Sequence, residues 1–309
     1  MVNFRFHVIS LTAVFLALAI GIAVGATVVD RATVDALQTQ LERVEGRVDV
    51  TDAENERLSL DVDRWTRFAA ESRDAAVAGR LSEVPVVLVG VMGIDRGPVD
   101  ELRQLLSAAG AQVEGTLWLT DKFLLADPLA VDELAQRVET RVQGAEAVRR
   151  VALGRLAGQL AGDQASPLLA ALVATSFVVI EPAANGVAPE AVPLPGSRFV
   201  VASGQGADVP DRLLAGPLVQ QLSRSAARRV MAVEAGREAQ GGQPEQRARF
   251  VGPLRSRAED AGTVSTVDNL EDFRGRFSTV FALRDLAEGK FGHYGVGPAA
   301  TRLVPEGAA

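Results

Sequence analysis

Four carboxylates fall where a catalytic pair or a cation site would need them. Asp95, Glu181, Glu234 and Asp268 each follow a short apolar run. In folds that alternate strand and helix, sites lie beyond the carboxyl ends of the strands. Acids at those ends can converge on a hard cation or share a proton. The other reading is that they cap helices and turns, spread along the sheet edge and facing water. Acid–base chemistry would require two of them in one pocket, with at least one pKa displaced. The spread arrangement is the expectation here, and with it a domain that has no enzymatic activity.

Softer donors are few. The chain has no cysteine, two histidines and three methionines. Thiolate sites, disulfides and cysteine nucleophiles are thereby excluded. Beyond the N-terminal region, Met92, Met231 and His293 are the only candidates for a thioether or imidazole ligand. One histidine without a second nearby is a weak metal signal. His293 lies in Phe291-Gly292-His293-Tyr294-Gly295-Val296-Gly297. Its glycines predict a tight loop whose backbone passes close to a ligand or to the sheet edge. Gly90-x-x-Gly93-x-x-x-Gly97 is neither a dinucleotide fingerprint nor a Walker loop. Ser203-Gly204-Gln205-Gly206 reads as a flexible turn. No cofactor is evident.

The elements that hold these residues read as α/β. Val86 to Val91 is a continuous apolar run, the mark of a strand buried on both faces. Further strands are expected at Gln112–Leu119, Phe177–Ile180, Phe199–Ala202, Val230–Val233 and Val264–Val267. Helices are expected at Asp95–Gly110, Leu129–Ala161, Leu168–Ala174, Arg212–Ser223, Val251–Ala261 and Arg274–Glu288. Strand alternating with helix predicts a mainly parallel sheet flanked by helices. Ala183–Pro195 and Gly236–Pro244 read as connections. This pattern argues against a membrane β-barrel, whose strands alternate apolar and polar residues over about ten positions.

Before this domain the chain changes character. Val8 to Val29 carries no charge, and roughly 22 residues of helix span about 33 Å, enough to cross a bilayer core. Ala13, Ala17, Gly21 and Gly25 line small side chains along one stripe, tightest at Gly21-x-x-x-Gly25. A cleaved signal peptide ending near Val24-Gly25-Ala26 is the competing reading. Arg5 and the terminal amine before the span place the short N-terminus in the cytoplasm and the bulk outside. A heptad then runs through Val34, Leu37, Leu41, Val44, Val48, Thr51, Asn55, Leu58, Val62, Trp65 and Ala69. Val, Leu and Asn55 at the a positions, with Leu37 and Leu58 at d, predict a parallel two-stranded coil and hence a homodimer. Arg47 at g faces Asp52 at e of the second chain. The alternative is one amphipathic helix folded against its own domain. The organisation expected is thus residues 1–29 as cytoplasmic start and transmembrane anchor, 30–72 as coiled coil, and 84–309 as an extracytoplasmic α/β domain. With a net charge of −7 and no basic run, nucleic acid is not an expected partner.

Several stretches together resemble a known family. They are FRFHVISLTAVFLALAIGIAVGATVVD followed directly by heptads, then Val84-Pro85-Val86-Val87-Leu88-Val89. Near the C-terminus they are Val264-Ser265-Thr266-Val267-Asp268-Asn269 and Gly292-His293-Tyr294-Gly295. In this order they resemble the MctB copper-transporter family of actinobacteria over nearly the whole chain. The resemblance implies a role in keeping intracellular copper low, through a pore-forming protein of the outer membrane. It also implies, from some relatives, a part in envelope assembly or division through a partner protein. Copper enters by resemblance alone. Cu(I) favours thiolate and thioether ligands and Cu(II) favours imidazole. A direct path here would have to use carboxylates, backbone groups or several subunits. A non-catalytic dimeric envelope scaffold is the other reading.

Overall fold

The computed structural model describes residues 4–162, 167–182, 193–236, 248–257, 260 and 262–307, apart from the side chains of 26–35 and 70. The chain divides into two compact units, Met1–Ala70 and Glu71–Ala309. Among the described residues the first unit is formed by α1, which runs unbroken over Phe4–Val77. Its opening segment, Phe4–Gly25, has a mean hydropathy of 2.5 and none of it is buried, so by length and composition it can cross a membrane.

The second unit is built on a seven-stranded sheet. In chain order its elements are β1 (Pro85–Val91), α2 (Gly97–Ala108), β2 (Gln112–Leu119), α3 (Pro128–Arg137), α4 (Ala145–Ala161), α5 (Pro167–Ala174) and β3 (Val178–Pro182). These are followed by β4 (Arg198–Gly204), α6 (Ala215–Ser225), β5 (Val230–Ala235), α7 (Val251–Ser256), β6 (Ser265–Val267), α8 (Phe273–Leu286) and β7 (His293–Tyr294). The strand order is β3-β2-β1-β4-β5-β6-β7. Every pairing is parallel except β2 with β3. Strand alternation sends Val87, Val89 and Val91 into a core shared with α3 to α7. Val86 and Leu88 enter a second core with α2, α8 and the end of α1. Both faces of the sheet are therefore covered, as parallel strands require.

Local chemistry explains the helix starts. Pro128 opens α3, with Asp127 accepting a hydrogen bond from the Leu129 amide at 2.9 Å. Asp272 caps α8 in the same way, on the Arg274 amide at 2.9 Å. The single helix expected at Leu129–Ala161 is in fact two. Glu139 and Gly144 take positive φ between them, which no helix accommodates. The loop expected around His293 contains a short edge strand, β7. Strand β3 runs antiparallel with a half-exposed face, so it is an edge rather than a doubly buried strand. The expected connections at Ala183–Pro195 and Gly236–Pro244 lie mostly outside the described residues.

The chain leaves β1 toward β2 on one side and later returns to β4 on the other. A crevice at such a reversal is the usual ligand site of doubly wound folds. Here backbone fills it. The Asp208 amide donates to the Met92 carbonyl at 2.8 Å. Gly93, at φ +93°, lies so close that a Cβ there would collide with the Gly206 carbonyl. Gly93→Ala should lower unfolding stability by about 1–3 kcal/mol from backbone conformation alone, with the collision adding to it. Urea titration of the detergent-solubilised protein, followed by tryptophan fluorescence, measures this.

Candidate functional site

With the reversal crevice closed, the nearest opening lies one strand further on, at the carboxyl ends of β4 and β5. A cavity of about 200 Å³ is lined there by Gln205, Gly206, Asp211, Glu234 and Arg249, among others. Glu234 leaves β5 pointing inward and is 4 % exposed. Its carboxylate accepts the amides of Arg249 (3.0 Å), Phe250 (2.9 Å) and Val251 (3.1 Å), and so fixes the start of α7. Burial pushes its pKa to about 6 against these three donors, and the Asp211 charge adds to the rise. Asp211 accepts from the Ser203 hydroxyl. Burial raises its pKa too, more than that hydrogen bond lowers it. The cavity thus holds two carboxylates of raised pKa beside an exposed Arg249. Hard oxygen donors of this kind suit cations such as Mg²⁺ or Ca²⁺ rather than Cu(I).

The expectation that the four strand-end carboxylates face water is corrected by Glu234 and also by Asp268. Asp268 forms an ion pair with Arg255 at 2.7 Å, both side chains having no exposed surface. Arg255 further donates to Thr266 Oγ1 at 2.8 Å and to the carbonyls of Tyr294 and Pro298 at 2.7 and 3.0 Å. Asp268 accepts the amides of Val296 and Gly297 at 2.8 and 2.9 Å. The Gly-rich loop passes close to this carboxylate. Gly295 adopts φ +126°, and a Cβ on it would collide with Asp268 Oδ1. Four of the five guanidinium N–H groups and both carboxylate oxygens are engaged within the knot, so it reads as a structural tie.

The other two carboxylates fit the plainer reading. Asp95 is exposed and accepts the Gly97 amide at 3.0 Å. Glu181, on the edge strand, accepts from Arg103 at 2.7 Å and from the Trp118 indole at 2.9 Å. Those two donors, Arg103 first, hold its carboxyl below the usual range. Arg96 stacks over Trp118 at 4.7 Å and donates to the Met92 sulfur at 3.3 Å.

The three soft candidates do not converge. Met231 is fully buried in the core shared with α2 and α8, on the same face as Val233 and Tyr294. His293 precedes Tyr294 in β7, so it projects from the opposite face, where its Nδ1 lies 3.0 Å from Thr266 Oγ1. Met92 sits half-buried at the end of β1, two strands from β5. No group of three or more His, Cys, Asp or Glu that could hold a metal occurs among the described residues. Sequence reasoning missed Asp211, Arg249 and Arg255. Nothing in composition separates Asp211 from an ordinary turn residue. Arg255 follows buried Leu254 in a short helix, a placement that only the partner loop explains.

In the first unit, Leu37, Leu41 and Leu58 are 60 %, 58 % and 49 % exposed, and Asn55 is exposed with them. A Cβ added at Gly21 or Gly25 would meet nothing within 4 Å. At about 100° per residue, Leu37 and Leu41 lie about 160° around the helix from Gly21 and Gly25 respectively. The six residues therefore form two faces rather than one.

Comparison with known proteins adds an independent line. The family described as "Copper transport outer membrane protein, MctB" matches residues 1–305. The chain is similar to the "Copper transporter MctB" of Mycobacterium tuberculosis strain H37Rv, 29% identical over 98% of this chain and 99% of that protein. It is also similar to the protein of that name from Mycobacterium leprae, 27% identical over 99% of this chain and 100% of the relative.

Two measurements test the buried acids. Asp268→Asn should cost about 3–5 kcal/mol, because it strands the Arg255 charge. Adding Arg255→Met should cost less than the two single changes summed. The Glu234 shift from 4.5 to about 6 amounts to about 2 kcal/mol. The folded state binds this proton more tightly than the unfolded chain. The contribution therefore favours folding below about pH 4.5 and is lost as pH rises through about 6. Denaturant midpoints across pH 4.5 to 7 should fall less steeply in Glu234→Gln.

Proposed function

The chain belongs to the MctB copper transport family, and from that premise we propose a membrane-anchored envelope protein that lowers cellular copper without ligating it through Met92, Met231 or His293. The observation that carries this reading is the family match over residues 1–305, joined to an exposed apolar helix start at Phe4–Gly25. The anchor crosses once, with the N-terminus in the cytoplasm and the α/β domain outside. Copper is the cargo. The scattered positions of the three soft side chains argue that it moves along a path built with other proteins or further copies, rather than through a site in one domain. A parallel sheet buried on both faces also offers no lipid-facing barrel wall. The domain acts by binding rather than by catalysis.

A second reading is favoured by the apolar seam of α1: a dimeric scaffold for envelope assembly or division, with its effect on copper following from the machinery it holds. In either case residues 34–69 pair as a parallel coil.

Cells lacking the protein, complemented with Met92→Leu, Met231→Leu and His293→Gln combined, should regain copper tolerance and the same copper content as with the unaltered chain. Loss of tolerance with normal protein levels would instead make these side chains ligands. Protease added to spheroplasts should digest the distal domain, and full protection there would reverse the orientation.

A further inference from the structure

The two faces of α1 decide how a second copy can sit. From Gly21 to Leu37, and from Gly25 to Leu41, the helix turns about 160° when straight, or about 205° when underwound to 3.5 residues per turn. Either way the small-residue stripe and the heptad seam point in nearly opposite directions. The helix between them is unbroken, so no interruption of its turns resets this phase.

We propose that a second copy of this chain docks in parallel on the seam of Leu37, Leu41, Val44, Val48, Leu58 and Val62, and that the Gly21–Gly25 stripe is turned away from that partner. The proposal rests on the membrane-anchored, dimeric reading above. Its seam residues are all about half exposed or more within one chain. A helix of this length in water draws its stability from packing, so such a seam needs cover. Self-complementarity identifies the cover. Asn55 at an a position meets its own counterpart only in a parallel, in-register pair. In that pair Arg47 faces Asp52 of the partner, while Gln40 with Glu45, Glu54 with Ser59 and Asp61 with Thr66 bring no like charges together. Two copies anchored through the same N-terminal span also run parallel of necessity. Close approach of two membrane helices through Gly21 and Gly25 would require the stripe to face inward, which the seam forbids within the same pair.

The cysteine-free chain gives a clean test. Single-cysteine forms of the full protein, Leu37→Cys, Leu58→Cys, Gly21→Cys, Gly25→Cys and, as an outer-face control, Ala53→Cys, would be treated in native membranes with diamide. A membrane-permeant bismaleimide would serve as a second reagent. Cross-linked dimer at Leu37→Cys and Leu58→Cys, at least about tenfold above the Gly21, Gly25 and Ala53 forms, is the expected result. Cross-linking at Gly21→Cys or Gly25→Cys equal to or above the seam positions would overturn the face assignment while keeping the dimer. No cross-link at any position, with a monomeric mass in mild detergent, would overturn both the proposal and the dimeric reading beneath it.

Discussion

The buried pair of Arg255 and Asp268 is the constraint on which the far half of the sheet depends. A charge with no solvent must be neutralised and hydrogen-bonded on every side. Meeting that demand recruits α7 through Arg255, β6 through Thr266, the residue after it through Asp268, and the Gly-rich loop through the amides of Val296 and Gly297. Strand β7 is only two residues long, and its pairing with β6 rests on this knot as much as on the ladder. Glu234 anchors the other end of α7, so this six-residue helix is held by a carboxylate at its start and a guanidinium near its finish. Two buried acids thus reinforce the apolar contact that Val251 and Leu254 make with the core.

The same logic separates this domain from the nucleotide-binding folds its strand order resembles. There, glycines after the first strand admit a phosphate. Here, Gly93 and Gly206 admit each other, and the backbone contact between them occupies the reversal point. A polar cavity beside Asp211 and Glu234 stays open among the described residues, and its oxygen donors are poorly matched to cuprous ion.

Much of the fold was legible from residue patterns. The continuous apolar run at Val86–Val91 announced a buried strand, because a solid stretch of β-branched residues leaves no polar face. The break between α3 and α4 was not legible, since Glu139 gives no sign of a positive φ and its stretch keeps a helical rhythm. Strand β7 was hidden for a different reason. Its two residues pair only because the loop beyond them is tied to Asp268, a contact about thirty residues away in sequence, beyond the reach of local propensity. The site residues followed the same division. Glu234 and Asp268 were marked by their place at strand ends, whereas their burial came from the amides of loops that sequence alone could not bring to them.

One consequence of the terminal knot concerns the order in which the chain can finish. Asp268 and Arg255 are made well before the segment from Tyr294 to Pro298 that completes their hydrogen bonds. While the chain is emerging, the sheet's last edge has charged groups whose partners have yet to arrive. The β5–β7 half therefore gains its final shape only once the segment from Tyr294 to Pro298 has closed over this pair. Loss of the segment from Tyr294 to Pro298 would cost more than its own few residues, because it would leave Asp268 and Arg255 short of their backbone partners.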